Sequence, residues 1–513
     1  MAIFSLTNVV VSLATIYIAH RLYWEATIGT RRRSLSKQRS CLPARKRIND
    51  TFPTFLPTFG LDFVVGNYRA IKAHRLLSSW VQDLSNAGSH TIATSVLGVN
   101  LFITDDPENV KTLLATDFDT WSLGKERIEQ MSSYLGHGIF TNEGKAWKYS
   151  REMLRPCFEK SAVADVSILE KHTERLFNLL PTDGSTVDLQ PLFHELTLDI
   201  ATEFLFGRST NSLDRGEESK EVQEFIEAFE YCSDPFMSEN HKKYGYIGLL
   251  IPDKKRKRSI KLIQDFTDKV IDEELASKAS QSNKPDNRYI FLDELTTTTS
   301  SRPTIRAELL NILLAGRDTT AALLSNLIWE LPRQPAILAR LRLEIAENVG
   351  DDNAPTYTQL KNMKYLRAIV NESQRLYPIV PTNSREALHD TTLPHGSGPD
   401  GASPILIPKG SYVAYHTFGM HRRADIFGVD ADTFSPDRWL EPGFRPGWAY
   451  IPFSGGPRVC IGQNFALTEA MFVIVRLLQR FELERKDFEE WREKISITCT
   501  GDGGCKVGLR RRI

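Results

Sequence analysis

Cysteine is scarce and scattered. The 513 residues hold six, at positions 41, 157, 232, 460, 499 and 505, with no CxxC pair and no zinc-like spacing. Such sparse use fits a reducing compartment. Net charge is missing too: Lys+Arg and Asp+Glu each total 64, which argues against nucleic-acid binding as the main business. The chain has no internal repeat, and its one Gly-x-Gly-x-x-Gly match, Gly396 to Gly401, lies in a Gly/Pro-rich insertion among short strands, not between a strand and a helix as a nucleotide loop requires, so flavin or nicotinamide chemistry is expected from another chain. Long uncharged runs are equally rare. Residues 2–19 form one, but Asn8 and several Ser and Thr dilute it, and its length is marginal for a membrane span of about 20 residues. What remains is ordinary globular composition, 41% hydrophobic and 25% charged, with ample material for a core.

One cysteine stands in a chemically telling context. It belongs to Phe453-Ser454-Gly455-Gly456-Pro457-Arg458-Val459-Cys460-Ile461-Gly462, and an apolar run of helical period follows. That places Cys460 at or just before a helix N-terminus, where unpaired N–H groups and the helix dipole favour a thiolate. Gly456 and Gly462 let the backbone turn sharply and approach a flat partner, and Arg458 offers a cation to a carboxylate. A thiolate in such a loop suits axial ligation of haem iron.

This loop resembles the haem-binding loop of the cytochromes P450, Phe-x-x-Gly-x-Arg-x-Cys-x-Gly, at all five fixed positions: Phe453, Gly456, Arg458, Cys460 and Gly462. The resemblance runs from about residue 60 to the C-terminus. It implies a mainly α fold with small β-sheets, one large haem-thiolate monooxygenase domain over 59–513, and Cys460 as the axial ligand. It also marks Trp147 and Arg151, at i and i+4 on one helical face, for a haem propionate. A long apolar helix is expected over Ile305–Leu331, with Ala315-Gly316-Arg317-Asp318-Thr319-Thr320 at its centre. There a glycine, two threonines and a charge conflict with helix propensity, as functional sites often do. By the resemblance, Asp318 and Thr319 are the acid and alcohol that deliver protons to bound dioxygen, and Ala315 and Gly316 leave room over the haem. Related animal fatty-acid hydroxylases often carry a glutamate where Ala315 stands, so the haem is expected to be non-covalent. Glu372, Arg375 and Arg438 match the family's structural Glu–Arg–Arg network. Several stretches, among them Leu135–Phe140 and Gly462–Ala470, look like the alkane- and fatty-acid-hydroxylating branch of yeasts and filamentous fungi. Wider members of that branch act on lipid-like or polyketide chains in secondary metabolism.

The implied reaction is hydroxylation of an unactivated C–H bond in a lipid-like substrate, with dioxygen and with NADPH electrons delivered by a membrane-bound P450 reductase. Lys145, Lys148 and Arg155 are candidate docking cations for that reductase. The alternatives are a P450-fold isomerase or dehydratase of lipid peroxides, and a non-catalytic haem- or lipid-binding membrane protein.

The remaining expectations concern organisation. Positive residues follow the apolar run (Arg21, Arg31, Arg32, Arg33 and on to Arg47), which predicts a retained single-pass anchor over 1–22 in the endoplasmic reticulum, with the catalytic domain in the cytosol. A basic, proline-bearing linker with Pro43, Pro53 and Pro57 fills 23–58. Trp121–Phe140 reads as a long loop whose charges at 125–129 either greet a carboxylate head group or face solvent. The basic run Lys254–Arg258, after the apolar stretch from Tyr244, suits either a membrane surface or a solvated helix start. Ser277–Arg288 and Thr296–Pro303 read as polar linkers. A final hairpin over Ile495–Val507 would put its tip, Thr500–Gly504, toward the pocket.

Overall fold

The computed structural model describes residues 6–48, 60–159, 164–214, 220–233, 238, 240, 251–280 and 291–512. Backbone proximity divides the chain into two compact units. The first comprises Met1–Tyr68, Ser78–Ser122 and Ser384–His416. Its centre is the expected hairpin, Thr91–Val96 paired antiparallel with Val99–Thr104. Leu97 and Gly98 turn it with positive φ at both positions (48° and 86°), the combination that matches strand twist in a two-residue loop. Tyr412–Tyr415 joins in parallel beside Val99–Thr104, and Asn383–Ala387 and Trp121–Ser122 complete five strands. Alternation along the hairpin buries Ile92 and Ile103 with Phe63, Leu84 and Ala414.

The N-terminal segment of this unit corrects the anchor expectation. Leu6–Trp24 is a 19-residue helix, but no helix among the described residues is long and apolar enough to cross a membrane. Thr7, Asn8, Ser12, Thr15 and His20 explain why. The flanking cations are not free for head groups either. Arg21 and Arg33 pair with Glu25, and Arg31 and Arg32 bond Asp390 at 2.9 and 3.1 Å. Residues 44 and 46 bridge to Ser397 and Ala93, while Pro53 and Pro57 lie outside the described residues.

The second unit, Arg69–Leu77, Leu123–Asn383 and Thr417–Ile513, is built around the helix Arg302–Glu330. Apolar residues occur all round it, as in a helix that is core on every side. Leu323, Leu324, Leu327 and Ile328 pack with Leu196 and Ile200 of helix Leu189–Phe206, Ile369 and Val370 of helix Lys364–Leu376, and Phe472–Leu478 of helix Gln463–Arg480. Pro303 sits in the first turn, where its missing N–H costs nothing. Pro332 falls in a separate 3-10 turn, Leu331–Arg333.

Three loop expectations give way to helices or a shifted turn. Lys125–Leu135 is helical, with Gly136 at its C-terminal end, so most of the expected loop is an ordered element; Lys125 and Glu129 pair on its exposed side. Phe291–Thr298 is helical because Phe291, Leu292 and Leu295 are buried; Thr296 and Thr297 fit it by back-bonding to the carbonyls of Asp293 and Glu294. The basic residues 254–258 open helix Lys254–Ser280, with Asp253 accepting from the Arg256 N–H at 2.9 Å; residues 241–250 and 281–288 lie outside the described residues. The last hairpin, Glu493–Ile495 with Cys499–Gly501, turns at 496–498, while Lys506–Arg511 joins a separate sheet with Asp183–Asp188 and Phe481–Arg485.

Behind the cysteine loop, Glu372 is fully buried and saturated. It accepts from Arg375 at 2.8 and 2.9 Å, from Arg438 Nε at 3.0 Å, from Trp439 Nε1 at 2.9 Å and from the Ser435 N–H at 2.8 Å. Arg375, also fully buried, spends further donors on the carbonyls of His421 and Thr433. Removing the one carboxylate would strand two buried guanidinium charges. Glu372→Gln is therefore expected to cost about 3–5 kcal/mol of unfolding free energy, measured by urea titration. A loss below ~1 kcal/mol, the range of an exposed pair, would refute this reading.

Candidate active site

The cysteine loop is fixed at both ends. At its start, the Ile451 N–H donates to Nε2 of His421 at 3.1 Å. Burial, and then the neighbouring Arg375 charge, push that imidazole down to about 3, so it is a neutral acceptor. At its end, the Cys460 N–H donates to the Phe453 carbonyl at 2.9 Å. Between them Gly456 takes φ +65°, a left-handed conformation that glycine adopts without strain. A Cβ on Gly455 would lie 2.4 Å from the Trp448 ring. Gly462 has ordinary φ but faces Phe158, which a Cβ would approach to 3.4 Å. Helix Gln463–Arg480 begins three residues after Cys460, as the sequence predicts.

Cys460 is exposed, although Leu467 and the residues after it are buried. One side of its thiol is open, but the protein packed around the rest desolvates it and raises it above the ordinary value, against the Gly462 N–H bond and the Arg151 charge that pull the other way. The helix terminus alone does not make the thiolate; a bound cation would complete its deprotonation.

Around the loop the structure gathers the other expected residues. Arg151 donates to the Val459 carbonyl at 2.9 Å. Arg458 donates to the Asn142 carbonyl at 2.8 Å. Both guanidiniums sit over the Trp147 indole, Arg458 at 4.5 Å and Arg151 at 6.0 Å from its centroid. Two cations and an aromatic beside a reachable sulfur suit a planar group carrying carboxylates. Among the described residues no group of three or more His, Cys, Asp or Glu could hold a metal ion, so a metal at Cys460 would have to bring its own remaining ligands. The residues fit haem.

The long helix Arg302–Glu330 opens at its centre. Ala315, Gly316, Asp318 and Thr319 are half-buried, while Leu313, Leu314, Arg317, Thr320 and Ala321 are buried. The Thr319 hydroxyl donates to the Ala315 carbonyl at 2.6 Å. Gly316 faces helix Leu189–Phe206, where a Cβ would touch Ala201 at an ordinary 3.5 Å. Asp318 lies 3.5 Å from His194 and 3.7 Å from Arg317. Burial raises its carboxyl, but the His194 hydrogen bond and the Arg317 and His194 charges prevail and hold it below the usual carboxylate value.

Sequence reasoning gave no role to His194 or His421, which lie away from the motifs they serve, nor to Glu308 and Glu469, which lie within a few turns of them on the helices Arg302–Glu330 and Gln463–Arg480. Glu308, buried on the long helix, accepts from the Ile139 N–H at 3.1 Å, and burial pushes it up to about 7. Glu469, beyond Cys460, is pushed up to about 8 by burial, against a hydrogen bond from Thr320 that ties the cysteine helix to the long helix. An acidic residue inside an apolar helical run was the available signal.

The family profile described as cytochrome P450 matches residues 56–498. Cytochrome P450 monooxygenase himC of Aspergillus japonicus is 39% identical over 515 residues, covering 99% of this chain and 90% of that one. Cytochrome P450 52A4 of Candida maltosa is 43% identical over 421 residues, covering 78% and 77%. The crystal structure of the cytochrome P450DA heme domain superposes with TM-score 0.73 at 22% identity, over 92% of this chain and 97% of that one, which shows the fold. The chain belongs to the cytochrome P450 family. It is accordingly a monooxygenase that binds haem iron and draws on NADPH through a reductase.

Two outcomes follow from this geometry. Cys460→Ser should abolish the far red-shifted Soret band of the reduced carbon monoxide complex; an unchanged band would exclude Cys460 as the ligand. Glu469 is protonated more readily folded than unfolded, so its contribution to stability is full below the unfolded value of 4.5 and is lost as pH rises toward about 8. Glu469→Gln should flatten that decline in thermal melts across pH, and an unaltered slope would show that Glu469 is not its source.

Proposed function

We propose that this P450 hydroxylates an unactivated C–H bond in a lipid-like chain, a fatty acid or alkane or a polyketide-like intermediate of fungal metabolism. One observation carries the reading: from Ala307 to Glu330 the long helix is buried except at Ala315, Gly316, Asp318 and Thr319, where it presents one acid, one alcohol and the small Ala315. An apolar chain finds there a wall that neither charges nor hydrates it, apart from the groups that handle protons.

The residue roles belong to the same proposal. Cys460 ligates the iron; Arg458, Arg151 and Trp147 hold the propionate side; Asp318 and Thr319 move protons. Ala315 offers no carboxylate for an ester, so the haem is held without a covalent bond. When bound, haem with a thiolate ligand supplies the O–O cleavage that precedes C–H oxidation. The chain's own work is to keep Cys460 in place through His421 and Phe453, to exclude bulk water with Leu313 and Leu314, and to present the Thr319 hydroxyl. Membrane association at the endoplasmic reticulum would rest on helix Leu6–Trp24, where Val11, Ile16, Tyr17, Ile18, Leu22 and Tyr23 are exposed.

The test is turnover of medium- and long-chain fatty acids and alkanes by protein reconstituted with NADPH and P450 reductase. Hydroxylated product that requires both supports the reading; rearranged peroxide formed without reductase, or no product, overturns it. Thr319→Ala should lower product per NADPH by about tenfold or more, and unchanged coupling would sink the assignment of Thr319.

A further inference from the structure

The acid on the long helix does not stand alone. Helices Leu189–Phe206 and Arg302–Glu330 are locked in register by Thr197, whose hydroxyl donates to the Arg317 carbonyl at 2.7 Å. One turn earlier on the same face as Thr197, His194 consequently reaches the next residue of the long helix, with Nδ1 3.5 Å from Oδ1 of Asp318. The imidazole is 27% exposed and the carboxylate 20%; Nδ1, the atom toward Asp318, is buried, so the ring reaches solvent by its other edge and the acid by Nδ1.

The charged surroundings give this contact a direction. Arg317, on the other side of Asp318, is buried and pairs with Glu230. Tyr134, whose hydroxyl burial holds at about 12, also feels the Asp318 charge; it stays neutral. Asp318 is therefore an ionised carboxylate in neutral solution. It can pass a proton toward Thr319 only after receiving one, and Arg317 does not release protons. Histidine is the side chain that gains and loses a proton near neutrality.

We infer that His194 is the positioning residue that loads Asp318 with the protons used in oxygen activation. This rests on the assignment of Asp318 and Thr319 made above. In the step, an imidazolium N–H bond at Nδ1 breaks as an O–H bond forms on Oδ1 of Asp318. The imidazole recovers a proton from solvent, and Asp318 hands its own toward the Thr319 hydroxyl. No oxidant or reductant is consumed.

The experiment compares His194→Gln, His194→Asn and Asp318→Asn with the unaltered holoenzyme and reductase. Gln and Asn keep a hydrogen-bond donor beside Asp318 but cannot deliver a proton. Product per NADPH is measured across pH, and the reduced carbon monoxide spectrum checks that haem ligation is intact. Both His194 variants should retain that spectrum, lose about tenfold in coupling, and lose the limb of the pH profile present in the unaltered enzyme. A second readout needs no turnover: the infrared carboxylic-acid band that Asp318→Asn removes. In the His194 variants it should appear at higher pH, because the interaction that favours the ionised form is gone. Normal coupling in both His194 variants with loss in Asp318→Asn overturns the role of His194 alone. Normal coupling in Asp318→Asn overturns the acid assignment, and this inference falls with it.

Discussion

A sulfur that must be reached from one side while everything behind it stays dry is the constraint on which the second unit depends. An exposed cysteine on a flexible loop would be a thiol like any other, and one packed into the core would be unreachable. The chain resolves this with a loop held from behind. The Phe453 carbonyl fixes the Cys460 N–H, neutral His421 fixes the Ile451 N–H, and the carbonyl of that same His421 accepts from buried Arg375. The ion network around Glu372 is thus two bonds away from the loop that carries the ligand. A buried ion cluster is a poor source of stability compared with packed hydrocarbon. Its use here is geometric, since five directed hydrogen bonds to one carboxylate leave no slack in the segments that bear them.

The same rule separates the acids of this unit. Glu372 is surrounded by guanidinium groups and an indole N–H. Glu308 and Glu469 are given one or two neutral donors each, and burial pushes both toward the protonated form. Asp318, beside His194 and Arg317, goes the other way. Burial raises Glu308 and Glu469 while charged neighbours lower Asp318, because their nearest partners differ.

The sequence was most readable where function demands contiguous residues. The cysteine loop, the start of the helix after it, the weakened centre of the long helix and the i, i+3 pair Glu372/Arg375 all announce themselves within a few positions. Readings failed where composition was taken for conformation. The Thr-rich stretch 296–298 is helical because Phe291, Leu292 and Leu295 bury one face of its helix, while the Thr296 and Thr297 hydroxyls donate to the carbonyls of Asp293 and Glu294. The polar stretch within 121–140, read as a loop, holds the helix Lys125–Leu135. The cations after the apolar N-terminal run are held by Glu25 and Asp390. What sequence alone withheld was tertiary pairing: His194 lies over a hundred positions before Asp318, and no local pattern links them.

The two sides of the site also differ in how firmly their groups are held. Around the cysteine, the loop that carries the ligand is bonded at each end to backbone or to a neutral imidazole. On the long helix, the Thr319 hydroxyl donates to a carbonyl of its own helix, and Asp318 and His194 are both partly exposed. A ligand that must not move is surrounded by saturated partners. A group that must give up and regain a proton cannot be, because every fixed acceptor on its hydroxyl or carboxyl opposes transfer. A back-bonded threonine keeps its proton until a better acceptor arrives, and an ionised aspartate beside a solvent-touching histidine can be refilled between turnovers. The looseness of that side is therefore the structural condition for its use.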